Sequence, residues 1–99
     1  MYIAMNNFRV NVDKRDEFER AWVERDSFLA GFVGFKEFHL LRGPEEEGAA
    51  LYASHTVWDS EKAFRDWVDS DAFRKAHAQG KLTGVLAGPP VFRGWTVIQ

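Results

Sequence analysis

From residue 2 to residue 12 polar and apolar positions alternate loosely in a stretch rich in strand formers, which predicts an opening strand. The period then changes. Phe18, Ala21, Trp22, Arg25, Phe28 and Leu29 recur at helical spacing in a charged context, with Asp13 placed to cap the helix and Gly31 and Gly34 to end it. Residues 34–42 and 49–58 read as strands around the polar run Gly43-Pro44-Glu45-Glu46-Glu47-Gly48, which predicts a hairpin with an acidic, solvated tip. Ser60 precedes a stripe of Ala63, Phe64, Trp67 and Val68, and Ser70 precedes a second short helical piece with Ala72, Phe73, Ala76 and His77. Gly80, Gly84, Gly88 and Pro89-Pro90 make a loop before a last strand over 91–98.

The order strand, helix, strand, strand, helix, strand predicts an α+β fold: a ferredoxin-like split βαβ with a four-stranded antiparallel sheet and helices on one face. Both sheet faces carry apolar bulk. In the first strand Ile3, Met5 and Asn7 oppose Ala4, Asn6, Phe8 and Val10; in the last, Val91, Trp95 and Val97 oppose Phe92 and Ile98. Two helices cover one face only, so the other is an expected interface, and the expected assembly is a homodimer whose sheets close into a dimeric α+β barrel.

With 99 residues the chain is read as a single domain over 1–99. A net charge of −2 argues against a nucleic-acid partner. No apolar run is long enough to span a membrane, and residues 1–6 lack the basic start and apolar stretch of a signal peptide. The absence of cysteine removes disulfides, thiolate metal sites and cysteine catalysis, and fits a cytoplasmic setting.

The chemistry centres on an amide, an indole and an imidazole: Asn7, Trp67 and His77. They accompany the frame Trp58-x-Ser60-x-x-Ala63-Phe64-x-x-Trp67 and the segment Gly31-Phe32-Val33-Gly34-Phe35. Together these residues resemble the IsdG-type heme-degrading monooxygenases, a branch of the antibiotic biosynthesis monooxygenase (ABM) superfamily. The two segments carry the superfamily likeness, while the subfamily likeness rests on the trio. The resemblance implies that heme is both substrate and cofactor. Oxygen and electrons from an outside reductase or chemical reductant then open the porphyrin and release iron and a bilin-type tetrapyrrole.

Each residue has two readings. A lone helical histidine is ordinarily a surface residue; the resemblance makes His77 the axial ligand to heme iron. Phe73, one helical turn before it, would add an apolar wall. Asn7 is a polar side chain in an apolar strand, bonded either to backbone or, as the resemblance implies, to the iron-bound ligand or a meso carbon on the distal side. Adjacent strand residues face opposite ways, so only one of Asn6 and Asn7 can look at the helices, and the ungapped match assigns the role to Asn7. Trp67 at helical spacing from Ala63 and Phe64 reads as core; the resemblance makes its indole press on the porphyrin. Trp58 reads as structural. The resemblance makes Trp22 and Arg25 candidates for pocket wall and for a polar or propionate contact, and His39 and His55 read as solvent-facing or hydrogen-bonded strand residues.

Three other functions are compatible with the same residues: a cofactor-free ABM monooxygenase acting on an aromatic small molecule, a non-catalytic heme-binding protein, and a dimeric sensor module.

Overall fold

The computed structural model of the chain describes residues 1–24, 29–78 and 84–99, and of 76–78 it describes the backbone alone. Four strands, β1 (Tyr2–Asn11), β2 (Phe35–Glu46), β3 (Ala49–Trp58) and β4 (Val91–Thr96), form one antiparallel sheet in the order β2-β3-β1-β4. Helix α1 (Arg15–Glu24) crosses between β1 and β2, and α2 (Glu61–Val68) and α3 (Asp71–Ala78) lie between β3 and β4. This is the ferredoxin-like α+β arrangement expected from the element order.

Local signals set the helix starts. Ser60 is extended and its Oγ accepts from the Ala63 amide at 3.1 Å, capping α2. Ser70 does two jobs: its Oγ accepts from the Phe73 amide at 3.1 Å and donates to the Trp67 carbonyl at 2.6 Å. One hydroxyl thus ends α2 and opens α3, tying Trp67 to Phe73. Asp13 differs from expectation. It lies inside a 3-10 turn, Val12–Lys14, and α1 begins only at Arg15.

The hairpin also departs from the expected loop over 43–48. Glu47 (φ 52°) and Gly48 (φ 79°) alone make the turn between the paired Glu46 and Ala49. Two consecutive positive φ values define the tight turn whose twist suits a hairpin. Gly43 and Pro44 fall within β2 at a register shift between Arg42 and Glu45, where a bulge tolerates the missing proline N–H. The acidic tip is tied down on one side, since Glu45 pairs with Arg15 of α1 at 2.5 Å.

Strand alternation divides the sheet. Tyr2, Ala4, Phe8 and Val10 are buried beneath the helices. One core cluster joins Tyr2, Ala4, Leu29, Trp58, Phe64 and Trp67; a second joins Phe8, Val10, Phe18, Ala50, Tyr52 and Val85. Trp58 is 0% exposed, packed edge-on against Phe32, Phe35 and Phe64 and tilted against Trp67, with its Nε1 donating to Thr56 at 2.9 Å. Its role is structural, as expected. Gly34 (φ 86°) lets β2 start against α2, because a Cβ there would lie 2.5 Å from that of Ala63. The opposite sheet face keeps Leu41, Val91 and Trp95 exposed beside Ile3 and Met5, an apolar patch that shares the face with Arg9, Arg93, His39 and His55. No helix among the described residues is long and apolar enough to cross a membrane.

Candidate functional site: a cavity between sheet and helices

A cavity of about 280 Å³ opens between the helix-side face of the sheet and the helices. Its floor is built from alternate residues of all four strands: Ala4 and Asn6 of β1, Ser54 and Thr56 of β3, Phe38 of β2 and Phe92 of β4. Trp22 of α1 and Leu29 line it as well, along with Phe64, Arg65, Trp67 and Val68 of α2 and Phe73 of α3. The lining is mostly apolar and aromatic with a few converging polar groups, the usual composition of a small-molecule site.

Trp67 is 6% exposed and lies edge-on to Phe32 at 5.3 Å and to Phe73 at 5.8 Å. Such T-shaped contacts hold an indole in one orientation. Trp22 stacks on Phe38 at 6.0 Å and meets Phe8 edge-on at 5.7 Å. Trp22 and Phe73 both line the cavity.

An ion-pair network fixes α1 above the strands. Glu19 accepts from Nε and Nη2 of Arg42, at 2.9 and 2.6 Å, and from the Tyr52 hydroxyl. Arg42, and then Tyr52, hold the Glu19 carboxyl below its ordinary range, while burial and the neighbouring carboxylate push the Tyr52 phenol up. Glu19 lies one helical turn before Trp22, so the network also sets where the indole meets the sheet.

Asn7 requires a correction. It lies on the opposite sheet face from the cavity, in a shallow depression with Leu41, Arg42 and Leu51, and its Nδ2 donates to the Val91 carbonyl at 3.2 Å. The cavity amide is its neighbour Asn6, which faces Ser54 across β1–β3 and Phe92 across β1–β4. The reason is strand phase: buried Tyr2, Ala4, Phe8 and Val10 commit the even positions to the helices. A signal was present in the sequence, because Arg9 and Asn11 share the face of Asn7 and mark it as the more polar side of the strand. Among the described residues, neither the Asn6 amide nor the Ser54 hydroxyl forms a side-chain hydrogen bond, and both line the cavity.

The backbone of α3 carries His77 one turn after Phe73, but its side chain lies outside the described residues, as does all of Arg25. His39 and His55 pair across β2 and β3 on the sheet face away from the cavity, rings 6.2 Å apart, with His39 Nε2 3.2 Å from Glu37. The sequence reading missed Ser54, Phe92 and Arg65. Alternation gave the means to find the first two, whereas an arginine between Phe64 and Trp67 reads simply as the solvent side of a helix.

A 55-residue stretch is 42% identical to the heme-degrading monooxygenases of Listeria welshimeri and Listeria monocytogenes, covering 56% of this chain and 44% of each relative. The match thus spans less than half the length of those curated relatives. Among solved structures, the chain resembles MhuD of Mycobacterium tuberculosis, a heme degrader with two hemes bound in its active site, with a TM-score of 0.79 and 26% identity. That likeness covers 100% of this chain and 97% of MhuD. Residues 1–79 match the family described as antibiotic biosynthesis monooxygenase, and with its split βαβ sheet and its cavity beneath α2, this chain belongs to that family.

Proposed function

We propose that this protein is a heme-degrading monooxygenase that takes heme into the cavity between sheet and helices. The observation that carries the proposal is the cavity itself: an aromatic slot with, among the described residues, one amide on its floor and one cation in its lining, in a chain 42% identical over 55 residues to heme degraders. Apolar walls suit a flat macrocycle and the cation suits its anionic edge. At about 280 Å³ the space falls just below the roughly 300–1,000 Å³ typical of ligand pockets, so a porphyrin would fill it and extend through the open side.

Heme brings the iron and the ring that is opened; oxygen and an external electron donor complete the reaction, which yields a bilin-type tetrapyrrole and free iron. The chain supplies position and polarity. His77 would hold the heme iron, from the helix whose Phe73 forms the adjoining wall. Trp67, held edge-on by Phe32 and Phe73, would bear on one face of the plate. Asn6, rather than Asn7, donates a hydrogen bond toward the reacting centre from the floor, with Ser54 beside it. The bare sheet face with Val91 and Trp95 pairs with a second copy of the chain.

A titration with hemin tests the proposal. Uptake shifts the Soret band, and His77→Ala abolishes that shift. Ascorbate then bleaches the band and releases chelatable iron even when catalase removes peroxide. An unshifted Soret band in the wild-type protein overturns the proposal. The small cavity supports a second reading, a cofactor-free monooxygenase of an aromatic small molecule, for which hemin would leave no spectral trace while the aromatic substrate consumes oxygen.

A further inference from the structure

We propose that Arg65 is the anion-recognition residue of the cavity: it selects flat apolar ligands that carry a carboxylate at their edge. Three observations meet at this side chain. It is the one charged residue among the described residues lining the cavity. Its side chain is 54% exposed, so it stands at the rim where a ligand's polar edge would emerge into water. Its guanidinium carbon lies 5.4 Å from the centroid of Phe64, which is itself stacked on Phe92 at 5.5 Å and 6°. Both rings line the cavity. An arginine resting on an aromatic wall is held close to an inserted plate yet keeps its planar fork of donors for a carboxylate.

Without ligand the fork is only lightly held. Nη2 reaches Glu61 Oε2 at 3.2 Å, one helical turn back on α2, with Glu61 56% exposed. Exposed pairs of this kind contribute little, so an incoming carboxylate competes for Arg65 at small cost. Glu61 then acts as a placeholder, and removing it should favour the ligand. That sign is what a packing role cannot reproduce. The inference rests on the heme reading for the ligand's identity, a heme propionate, but the preference for a carboxylated plate stands on the cavity alone.

The test compares ferric protoporphyrin IX with its dimethyl ester in binding titrations. Arg65→Gln should weaken the diacid roughly fivefold to tenfold, the scale of one part-exposed charge-assisted contact, and leave the ester unchanged. Arg65→Lys should recover only part of the diacid affinity, because lysine keeps the charge but not the planar fork, and Glu61→Gln should tighten it about twofold. Equal binding of the diacid by wild type and Arg65→Gln overturns the proposal, as does an equal loss for diacid and ester. If the wild type takes up neither porphyrin, the heme reading fails while Arg65 is judged on a smaller plate, anthraquinone-2-carboxylate against its amide. A carboxylate preference that Arg65→Gln abolishes then upholds the inference, and the lack of any preference overturns it.

Discussion

Asn6 and Asn7 are adjacent in β1, and the structure turns them to opposite sheet faces, so paired substitutions can separate the role proposed for Asn6 from a purely structural one. Asn6→Leu replaces an amide on the cavity floor that makes no side-chain hydrogen bond to another described residue. No partner is orphaned, and the desolvation cost of the amide, of order 1 kcal/mol for a half-buried group, is relieved. For a domain of this size, about 1 kcal/mol corresponds to roughly 4–8 °C, so the melting temperature should hold or rise by a few degrees. Asn7→Ala breaks the 3.2 Å bond to the Val91 carbonyl between β1 and β4. Its net cost is about 1 kcal/mol, lowering the melting temperature by roughly 4–8 °C. Heme turnover should respond the other way round. Asn6→Leu should lower the single-turnover rate by at least about tenfold, because removing one donor aimed at a reacting centre commonly costs about a hundredfold. Asn7→Ala should turn over normally below its melting point. Thermal melts and Soret decay under ascorbate, at one protein concentration, measure both effects. A slow Asn7→Ala enzyme beside a normal Asn6→Leu enzyme would refute the placement of the amide.

Three further outcomes follow from named contacts. Trp67→Phe should slow ring opening more than it weakens hemin binding, because the smaller ring keeps the apolar wall but presses less; equal losses in rate and affinity would reduce Trp67 to packing. Glu19 has a folded-state pKa held below its unfolded value, so its stabilising effect is present above about pH 4.5 and is lost as pH falls through the folded value. Glu19→Gln should therefore lower the urea midpoint at pH 7 and narrow its gap from wild type by pH 3, and a gap independent of pH would count against the ion-pair network. Trp95→Glu places a charge on the bare sheet face, where Trp95 is 54% exposed, and should give monomers in sedimentation with secondary structure intact; an unchanged dimer would move the interface elsewhere.

The sequence by itself determined the parts that depend on near neighbours along the chain. Ser60 and Ser70 announce α2 and α3 because a capping hydroxyl reaches an amide only three residues away. The stripe of Phe64 and Trp67 and the order of elements follow from the same short-range periodicity, and with them the ferredoxin-like topology. The hairpin shows the limit of local reading. Gly43-Pro44 has the composition of a turn, yet pairing of β2 with β3 continues past it to Glu46, and the reversal falls at Glu47-Gly48.

Tertiary structure decided which side of β1 is the site. Both faces of that strand carry apolar residues and only Arg9 and Asn11 hint at its phase, so the packing of α1 and α2 on Tyr2, Ala4, Phe8 and Val10 is what selects one. That choice places Asn6 in the cavity and turns Asn7 away. It likewise brings Phe92, from the far end of the chain, against Phe64 and sets Arg65 beside both at the rim. Contacts between residues distant in sequence are a property of how the layers close, and a one-residue change of phase reverses every one of them while leaving the local pattern the same.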